Sequence, residues 1–558
     1  MIKLWSYTRE PIDKVYYDPR LAYSMHLLLE ENGEICILNH NSGILFAKAT
    51  ENEDGSLNPK SIKYPYIYAK DDNFEIMAMR TLADGEQDEE SEGKVLIFNT
   101  SDFVTYKELG LYNPTKEYLE LIAFWDSGRY IKEAEEMKNL PEGAHLWNYI
   151  EITDDMARRL KNKFLTPCHV ATIFPEKIQV KNKAELTALK AKKIFSDGTE
   201  TSVAIDWNLD EYDFDLQEEK TIVGTLHQDK FPFPVARNHA DPCIGKWKGK
   251  YYFIATYDGD HEHTMYIREG NSIPELVNAE ENLILDSTTY EGIGGLLWAP
   301  ELHIIGNRLC ILHAATPGPF YEEESRVMIL KEGGNPVVKE DWEAPRRIVK
   351  ADGSNICEAG KEITLDMTHF VWDGEDYVIW SQRQFLPKDL GAWLYIAKLN
   401  PEEPWKLACD PVILTKPEYG WENNHTFVVE GPFALIRSGK LYITYSAAAV
   451  DTSYVVGLLS IEKGRDLLCA DQWKKSNYPL LTSRSVSGEF GTGHNAYIED
   501  DNGDVWNTYH ARPGIDAPRC SGIRRVHFDI DGQPVLDVTE DLDLAEDLMQ
   551  VKTELHLN

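Results

Sequence analysis

The chain has 558 residues, with 93 acidic against 57 basic side chains and a formal net charge of −36. This length predicts two to four domains, because one domain usually holds ~100–200 residues. The acidic charge argues against nucleic acid or an anionic membrane as a partner, since both need a basic face, and no apolar stretch approaches the ~20 residues that span a bilayer.

The cysteines and the opening residues predict a cytoplasmic protein. Eight cysteines are scattered along the chain without a CxxC pair or a tight Cys/His cluster, which argues against a zinc site. A chain of this size does not depend on disulfides, so reduced thiols are expected. The opening residues, MIKLWSYTREPIDKVYY, lack the apolar core of a secretory signal. We therefore expect a cytoplasmic location.

Residues 1–165 predict a β-rich, blade-like module without catalytic residues. GEICILNHN from Gly33 and GKVLIFNTS from Gly93 each place alternating apolar residues after a turn glycine. The positions eight residues before these glycines hold Met25 and Gly85, and neither residue performs acid–base chemistry. Residues 151–164 predict a short helix with Thr153 as its N-cap. We expect this module to shape a cleft or to form an interface for oligomerisation.

Residues 166–232 predict a small sandwich. Short alternating strands around the turn SDGT resemble bacterial immunoglobulin-like modules, which serve as spacers or braces. At the other end of the chain, residues 541–558 are acidic and partly helical, and we expect them to form a tail packed along the outside.

Residues 233–540 contain a fivefold repeat. Each unit starts with a glycine and continues with alternating apolar and aromatic positions, as in GKYYFIA. By subtraction, successive glycines are 57, 68, 65 and 64 residues apart; they are Gly249, Gly306, Gly374, Gly439 and Gly503. Five strand-rich units of this length predict an all-β fold with a five-bladed β-propeller, whose blades are four-stranded sheets around an axis.

One residue in each unit holds nearly the same register, eight or nine positions before the glycine. These residues are Asp241, Trp298, Asp366, Glu430 and His494. Equivalent positions on the innermost strands converge at one end of a propeller channel, so we expect these side chains to share a pocket. Like charges in one pocket keep at least one carboxyl group protonated. Glycoside hydrolysis needs such a pair, one group as the acid and one as the base.

The motifs that carry these residues resemble glycoside hydrolase family 43, over roughly residues 235–535. They are HADP, WAPELH, a strand-borne DxxxF, VEGP and GTGHN, in that order. The resemblance implies an inverting enzyme with Asp241 as the general base and Glu430 as the general acid. It implies that Asp366 orients the acid and tunes its pKa, although Met367 stands where the family more often has proline.

The resemblance extends to residues around the pocket. It implies no required cofactor, but in some members a calcium ion or its waters contact a histidine that matches His494; a hydrogen-bonded buried histidine is the alternative. Trp298 is expected to wall a sugar subsite or to pack in the core. Asn238, His239 and Arg512 lie close to the motifs and are expected to bind sugar hydroxyls, with a structural ion pair as the alternative for Arg512.

The family group implied is that of the α-L-arabinofuranosidases and β-xylosidases. We therefore predict release of terminal α-L-arabinofuranosyl residues from a neutral oligo- or polysaccharide. A β-xylosidase, or an enzyme with both activities, is the near alternative, and an endo-arabinanase is a further one. A non-catalytic sugar-binding propeller predicts loss of an acid from the ring, and a protein-interaction platform gives no reason for aligned carboxylates.

Overall fold

The computed structural model describes residues 2–13, 15–129, 134, 137–209 and 219–557. Strands make up most of its regular structure, which confirms the prediction of an all-β chain. The helices of the described residues are all too short or too polar to cross a membrane.

Five four-stranded antiparallel sheets follow one another along residues 236–525. The first sheet consists of His239–Trp247, Lys250–Tyr257, Thr264–Gly270 and Asn282–Asp286. The second consists of Gly295–Ile305, Arg308–Thr316, Glu324–Ile329 and Arg346–Arg347. The third consists of Glu362–Trp372, Glu375–Gln384, Gly391–Lys398 and Val412–Thr415. The fourth consists of Val429–Arg437, Lys440–Ala447, Val455–Glu462 and Lys474–Lys475.

The fifth sheet closes these sheets into a ring. It consists of Phe490–Glu499, Val505–Arg512 and Cys520–Arg525, and its outer strand is Ala236–Arg237 from the beginning of the ring segment. The first strand of each sheet contacts the first strand of the next, and the fifth contacts the first. Pairing the two ends of the segment in one sheet removes an open edge and fixes the closure.

A β-bulge interrupts the first strand of every sheet in the ring. At each bulge one residue has a left-handed backbone; these residues are Asp241, Ala299, Asp366, Gly431 and His494, with φ between 45° and 54°. A bulge leaves one residue out of the ladder and re-aims its side chain. The five bulges therefore turn equivalent residues of five strands toward the axis of the ring.

The bulges also free backbone N–H groups, and neighbouring sheets satisfy them. The N–H of Ala299 donates to Thr256 Oγ1 of the first sheet at 2.7 Å, and that of Gly431 donates to Asp366 Oδ2 of the third at 3.0 Å. The N–H of His494 donates to Ser446 Oγ of the fourth at 2.7 Å. Because a buried N–H needs a partner, these bonds connect the second, fourth and fifth sheets to the sheets that precede them.

The N-terminal residues form two more four-stranded sheets that pack on the ring. One contains Ala144–Ile152, Ile2–Arg9, His26–Glu31 and Glu34–Ile37, and the other contains Lys60–Lys70, Asn73–Leu82, Val95–Thr100 and Lys107–Tyr112. A two-stranded hairpin joins Thr50–Glu51 to Leu57–Asn58. One hydrophobic cluster runs from Leu4 and Leu27 of these sheets to Ile379 and Ile443 of the third and fourth sheets of the ring.

The described residues also contain six short α-helices. They are Pro19–Ala22, Lys116–Asp126, Asp154–Phe164, Lys183–Thr187, Ile273–Leu276 and Glu540–Asp543. The helix predicted for residues 151–164 is confirmed, and the Thr153 side chain accepts a hydrogen bond from the N–H of Met156 as its N-cap.

The C-terminal residues differ from the expected tail. Gln550–Leu557 is a strand of a six-stranded sheet, paired with Lys220–Leu226 on one side and in parallel with Lys177–Val180 on the other. The other strands are His169–Ile173, Lys190–Phe195 and Glu200–Trp207. Alternating buried residues such as Val551 and Leu555 give this strand an apolar face that an isolated tail would leave in water. The immunoglobulin-like sandwich stays a prediction, and residues 210–218 of its range lie outside the described residues.

Candidate active site

A cavity of about 410 Å³ lies where the inner strands of all five sheets meet. Six of the residues predicted from the sequence line it: Asp241, Trp298, Asp366, Glu430, His494 and Arg512. Each of the first five comes from a different sheet, so the register counted from the turn glycines does bring these side chains together. The cavity volume is within the range of sites that hold a small organic ligand, ~300–1,000 Å³.

Asp241 is surrounded by cationic and hydrogen-bonding groups. Its Oδ1 lies 2.9 Å from His510 Nδ1, 3.2 Å from His494 Nδ1 and 3.4 Å from Arg519 Nη1, and its Oδ2 accepts a hydrogen bond from Thr256 Oγ1 at 2.7 Å. Burial alone would raise the pKa of Asp241, but the charges of His494 and Arg519 and the bond to His510 outweigh it. They hold the pKa of Asp241 well below its usual range, so this carboxylate is ionised.

Asp366 and Glu430 have the opposite environment. Asp366 is buried, and its Oδ2 accepts only the N–H of Gly431, at 3.0 Å. Burial, followed by the neighbouring charges of Glu430 and Asp241, raises the pKa of Asp366 well above its usual range. Burial also raises the pKa of Glu430, to about 7, against the hydrogen bond that Tyr454 Oη donates to its Oε1 at 2.8 Å. The pair therefore retains a proton near neutral pH.

Three residues of this site have a strained, left-handed backbone. Asp241, Asp366 and His494 have φ of 51°, 54° and 50°. A left-handed backbone costs a residue other than glycine ~1–3 kcal/mol, and such residues concentrate at functional sites. Gly431 takes the equivalent position in the fourth sheet, where a Cβ atom would lie 3.1 Å from the His494 ring. Glycine is required there because the imidazole packs against its backbone.

Two predicted residues do not line the cavity. His239 Nε2 lies 2.8 Å from Glu281 Oε1 and its ring packs against Tyr257, while Asn238 has a left-handed backbone whose carbonyl accepts the N–H of Asp258. The bulge at Asp241 interrupts the alternation of side chains, so a residue two positions earlier does not share its face. The expectation that His239 and Asn238 bind sugar hydroxyls is therefore not met by this geometry.

Arg512 and Trp298 do line the cavity, and other groups fix both side chains. The Arg512 guanidinium donates to the carbonyls of Ala517 at 2.7 Å and Val450 at 3.0 Å. The indole of Trp298 packs 6.0 Å from the ring of Phe320, which also lines the cavity. The two rings give the cavity an apolar wall on which the face of a sugar ring can stack.

The residues around His494 do not supply a calcium site. The Nε2 atom of His494 is buried without a hydrogen-bond partner, which leaves one nitrogen donor free. Calcium takes 6–8 oxygen ligands, and within the described ranges no group of three or more His, Cys, Asp or Glu side chains is arranged to hold a metal ion. A calcium ion held by protein ligands does not fit here, and metal binding at His494 stays a prediction.

Several lining residues were not predicted from the sequence. Arg519 forms a bidentate pair with Asp258, at 2.7 and 3.0 Å, in addition to its contact with Asp241. Glu262 and Arg383 also face the cavity. The loop after Arg383 contacts the N-terminal hairpin, where Lys388 pairs with Asp54. These residues reach the site through loops and cross-strand pairs, which no local pattern reveals.

The chain is similar to several known proteins. α-L-Arabinofuranosidase B of Pyricularia oryzae is 32% identical over 315 residues, which cover 54% of this chain and 61% of that protein. The extracellular exo-α-(1→5)-L-arabinofuranosidase of Streptomyces avermitilis is 31% identical over 319 residues, 54% of this chain and 62% of the relative. The chain thus matches about three fifths of the length of these two relatives. A crystal structure of α-L-arabinofuranosidase from Lactobacillus brevis, 29% identical, aligns with a TM-score of 0.48 over 54% of this chain and 95% of that chain.

Glycoside hydrolases use one carboxyl group as an acid and another as a base, and this cavity contains carboxyl groups of opposite protonation. The family model of Glycosyl hydrolases family 43 matches residues 231–534, more than half of the chain. The chain belongs to this family, as the motifs predicted.

The cytoplasmic location expected from the sequence is wrong. The relative from Streptomyces avermitilis is named as an extracellular enzyme. The expectation rested on the opening residues and on the scattered thiols, and neither feature decides the compartment in which an acidic, globular chain works.

Arg519 offers a test of what keeps Asp241 ionised. Replacing it with methionine removes a positive charge 3.4 Å from Asp241 Oδ1, so the pKa of Asp241 should rise. If activity needs the ionised carboxylate, the acidic limb of the pH profile of kcat/KM moves to higher pH in Arg519→Met. Arg519→Lys retains the charge and should move the limb less. If the acidic limb lies at the same pH in all three proteins, Arg519 does not keep Asp241 ionised.

Proposed function

We propose that the chain is an inverting glycoside hydrolase that releases terminal α-L-arabinofuranosyl residues from arabinose-containing oligo- and polysaccharides. The observation that carries the proposal is the division of protonation within one cavity. Asp241 is held ionised by His494, Arg519 and His510, while the pair of Asp366 and Glu430 retains a proton. The names of the relatives supply the sugar.

The two protonation states assign the roles in hydrolysis. Asp241 accepts a proton from water as the water oxygen attacks the anomeric carbon. Glu430 donates its proton to the leaving glycosidic oxygen as the bond from that carbon breaks. In inverting enzymes the acid and the base lie on opposite sides of the sugar, ~6.5–9.5 Å apart, to leave room for this water. Their origin in the first and fourth sheets of the ring agrees with that arrangement.

Asp366 is proposed as the residue that positions the acid. Its Oδ2 accepts the N–H of Gly431, the residue after Glu430, so it fixes the strand that carries the acid. Its charge state is coupled to that of Glu430, because each carboxyl group disfavours ionisation of the other. The five-sheet ring is interpreted as a five-bladed β-propeller that holds these groups on one axis.

The choice between arabinose and xylose is tested with two aryl glycosides. We expect faster hydrolysis of nitrophenyl α-L-arabinofuranoside than of nitrophenyl β-D-xylopyranoside, with both rates abolished in Asp241→Ala. A ratio that favours xylose would make the chain a β-xylosidase. Activity that persists in Asp241→Ala would remove the proposed base from the mechanism.

Glu430→Gln is expected to separate substrates by their leaving group. A poor leaving group needs the proton that Glu430 donates, so its rate should fall ~10²–10⁴-fold, while an activated aryl leaving group should lose far less. In the wild type, kcat/KM should fall as the pH rises through about 7, where Glu430 loses its proton, and this fall should be absent in the variant. Glu262→Gln is the matched control, because Glu262 also lines the cavity. Equal losses for both leaving groups in Glu430→Gln would contradict its role as the acid.

Inversion is read from the first product formed. For an α-L-arabinofuranoside, attack of water from the opposite face releases the β-anomer, which later equilibrates in solution. Proton NMR recorded within the first turnovers should therefore show the β signal before the α signal. An α signal that appears first would show retention and exclude Asp241 as a water-activating base.

A further inference from the structure

A second cavity lies between the N-terminal sheets and the ring, and it shares no residue with the catalytic cavity. Its volume is about 650 Å³. The N-terminal wall contains Arg9, at the end of the strand Ile2–Arg9, together with Tyr17 and Asn41. Arg484, from the segment between the fourth and fifth sheets of the ring, supplies the opposite wall. The cavity therefore exists only because the two parts of the chain pack together.

Arg9 is a buried cation that forms no side-chain hydrogen bond and no ion pair within the described parts of the chain, although the charge of Glu142 acts on it from a greater distance. Arg9 is only 3% exposed, and its Nε atom has no hydrogen-bond partner among the described residues. The one contact of its guanidinium group is the face of Tyr17, 3.8 Å from the ring centroid. Burying a charge in this way destabilises a protein unless a partner compensates it. An anionic group in the cavity would be such a partner.

Arg484 presents a second guanidinium group to the same space. Its Nε donates to the carbonyl of His40 at 2.8 Å, which fixes its orientation, and its group also lies 5.0 Å from the Tyr17 centroid. None of the ion pairs among the described residues includes it. Arginine presents paired N–H groups that match the two oxygens of a carboxylate. Two arginines without an ion pair to a described residue stand out in one cavity of a chain with a net charge of −36.

The backbone beside Arg484 is held in a costly conformation. Asn39, His40 and Asn41 follow one another with φ of 51°, 52° and 59°, all left-handed. Side-chain bonds keep them there: His40 Nε2 lies 2.7 Å from Asp537 Oδ2, and Tyr7 Oη donates to Asn41 Oδ1 at 2.7 Å. Strain of this kind persists where the surroundings impose it, and it concentrates at ligand sites. In this segment the left-handed backbone places the His40 carbonyl where Arg484 Nε donates to it.

The other residues that line the cavity indicate which uncharged groups an anionic ligand would carry. Asp13 and Glu142 line the cavity without an ion pair to either arginine, and Tyr16 adds an aromatic ring. Carboxylates accept hydrogen bonds from hydroxyl groups, and an aromatic face packs on the C–H side of a sugar. We propose that this cavity binds a sugar acid, with its carboxylate between Arg9 and Arg484 and its hydroxyl groups toward Asp13 and Glu142.

The proposal is tested by calorimetric titration of the full chain with sodium glucuronate. We expect saturable binding that weakens at least tenfold in Arg484→Met and in Arg9→Met. Glucose, which lacks the carboxylate, and inorganic phosphate, which lacks the sugar ring, should each bind at least tenfold more weakly. Arg437→Met is the matched control, because Arg437 packs on Phe528 in the same way but lies outside the cavity. It should leave the affinity unchanged.

Two further readouts separate this site from the catalytic cavity and from a structural role. Glucuronate should not compete with an aryl arabinofuranoside, and Arg484→Met should keep the wild-type rate on that substrate. Without ligand, Arg9→Met should raise the Tm, because it removes a buried charge that forms no ion pair with a described residue. Absence of glucuronate binding, equal binding of phosphate or glucose, competitive inhibition, or unchanged affinity in both arginine variants would each overturn the proposal. If Arg9→Met does not fold, the half-buried Arg484 still decides the outcome.

Discussion

The arrangement of the ring depends on hydrogen bonds that link three of its bulges to the sheet before each of them. A bulge withdraws one N–H from its own ladder, and a buried N–H cannot be left without a partner. Thr256, Asp366 and Ser446 accept these groups from Ala299, Gly431 and His494. Two of these acceptors belong to the site. Thr256 also donates a hydrogen bond to Asp241, and Asp366 is itself one of the three carboxyl groups. One set of bonds thus fixes the angle between sheets and the direction of the functional side chains.

The same ring makes its two sides electrically different. His494 and His510 belong to strands of the fifth sheet, and Arg519 lies in the loop between its strands Val505–Arg512 and Cys520–Arg525. All three face Asp241 of the neighbouring first sheet. The third and fourth sheets bring two carboxyl groups together with a phenol, Tyr454, as the nearest donor to Glu430. An ionised carboxylate and protonated carboxyl groups therefore coexist at one pH, because cationic neighbours outweigh burial at Asp241, whereas burial raises the pKa of Asp366 and of Glu430. Repulsion between the carboxyl groups already separates their pKa values, and their unequal surroundings decide which group is ionised.

The sequence predicted the functional ring because turn glycines fix the distance to each bulge. Gly249 is the second residue of a two-residue turn, whereas Gly306 is the first, and the turn before Gly503 is longer. Counting eight positions back from Gly306 therefore gives Trp298, one position before the bulge residue Ala299. Gly439 is again the second residue of its turn, and counting nine positions back from it gives Glu430, one position before Gly431. His239 was expected in the cavity because it lies close to Asp241 in the sequence. The side chains of a strand do not keep alternating between its two faces across a bulge, so His239 does not share the face of Asp241. His510, Arg519 and Thr256 escaped prediction because their partners are set by strand pairing over long distances in the chain.

The N-terminal sheets act on the ring through its third and fourth sheets. The shared hydrophobic cluster contains Ile379 and Leu394 of the third sheet and Ile443 and Leu459 of the fourth. These are the sheets whose inner strands carry Asp366 and Glu430, the pair that shares a proton. Packing at core density resists small displacements, and the coupling between two carboxyl groups changes steeply with their separation. The N-terminal part of the chain thus supports the geometry on which the pKa of the acid depends, although it contributes none of the carboxyl groups.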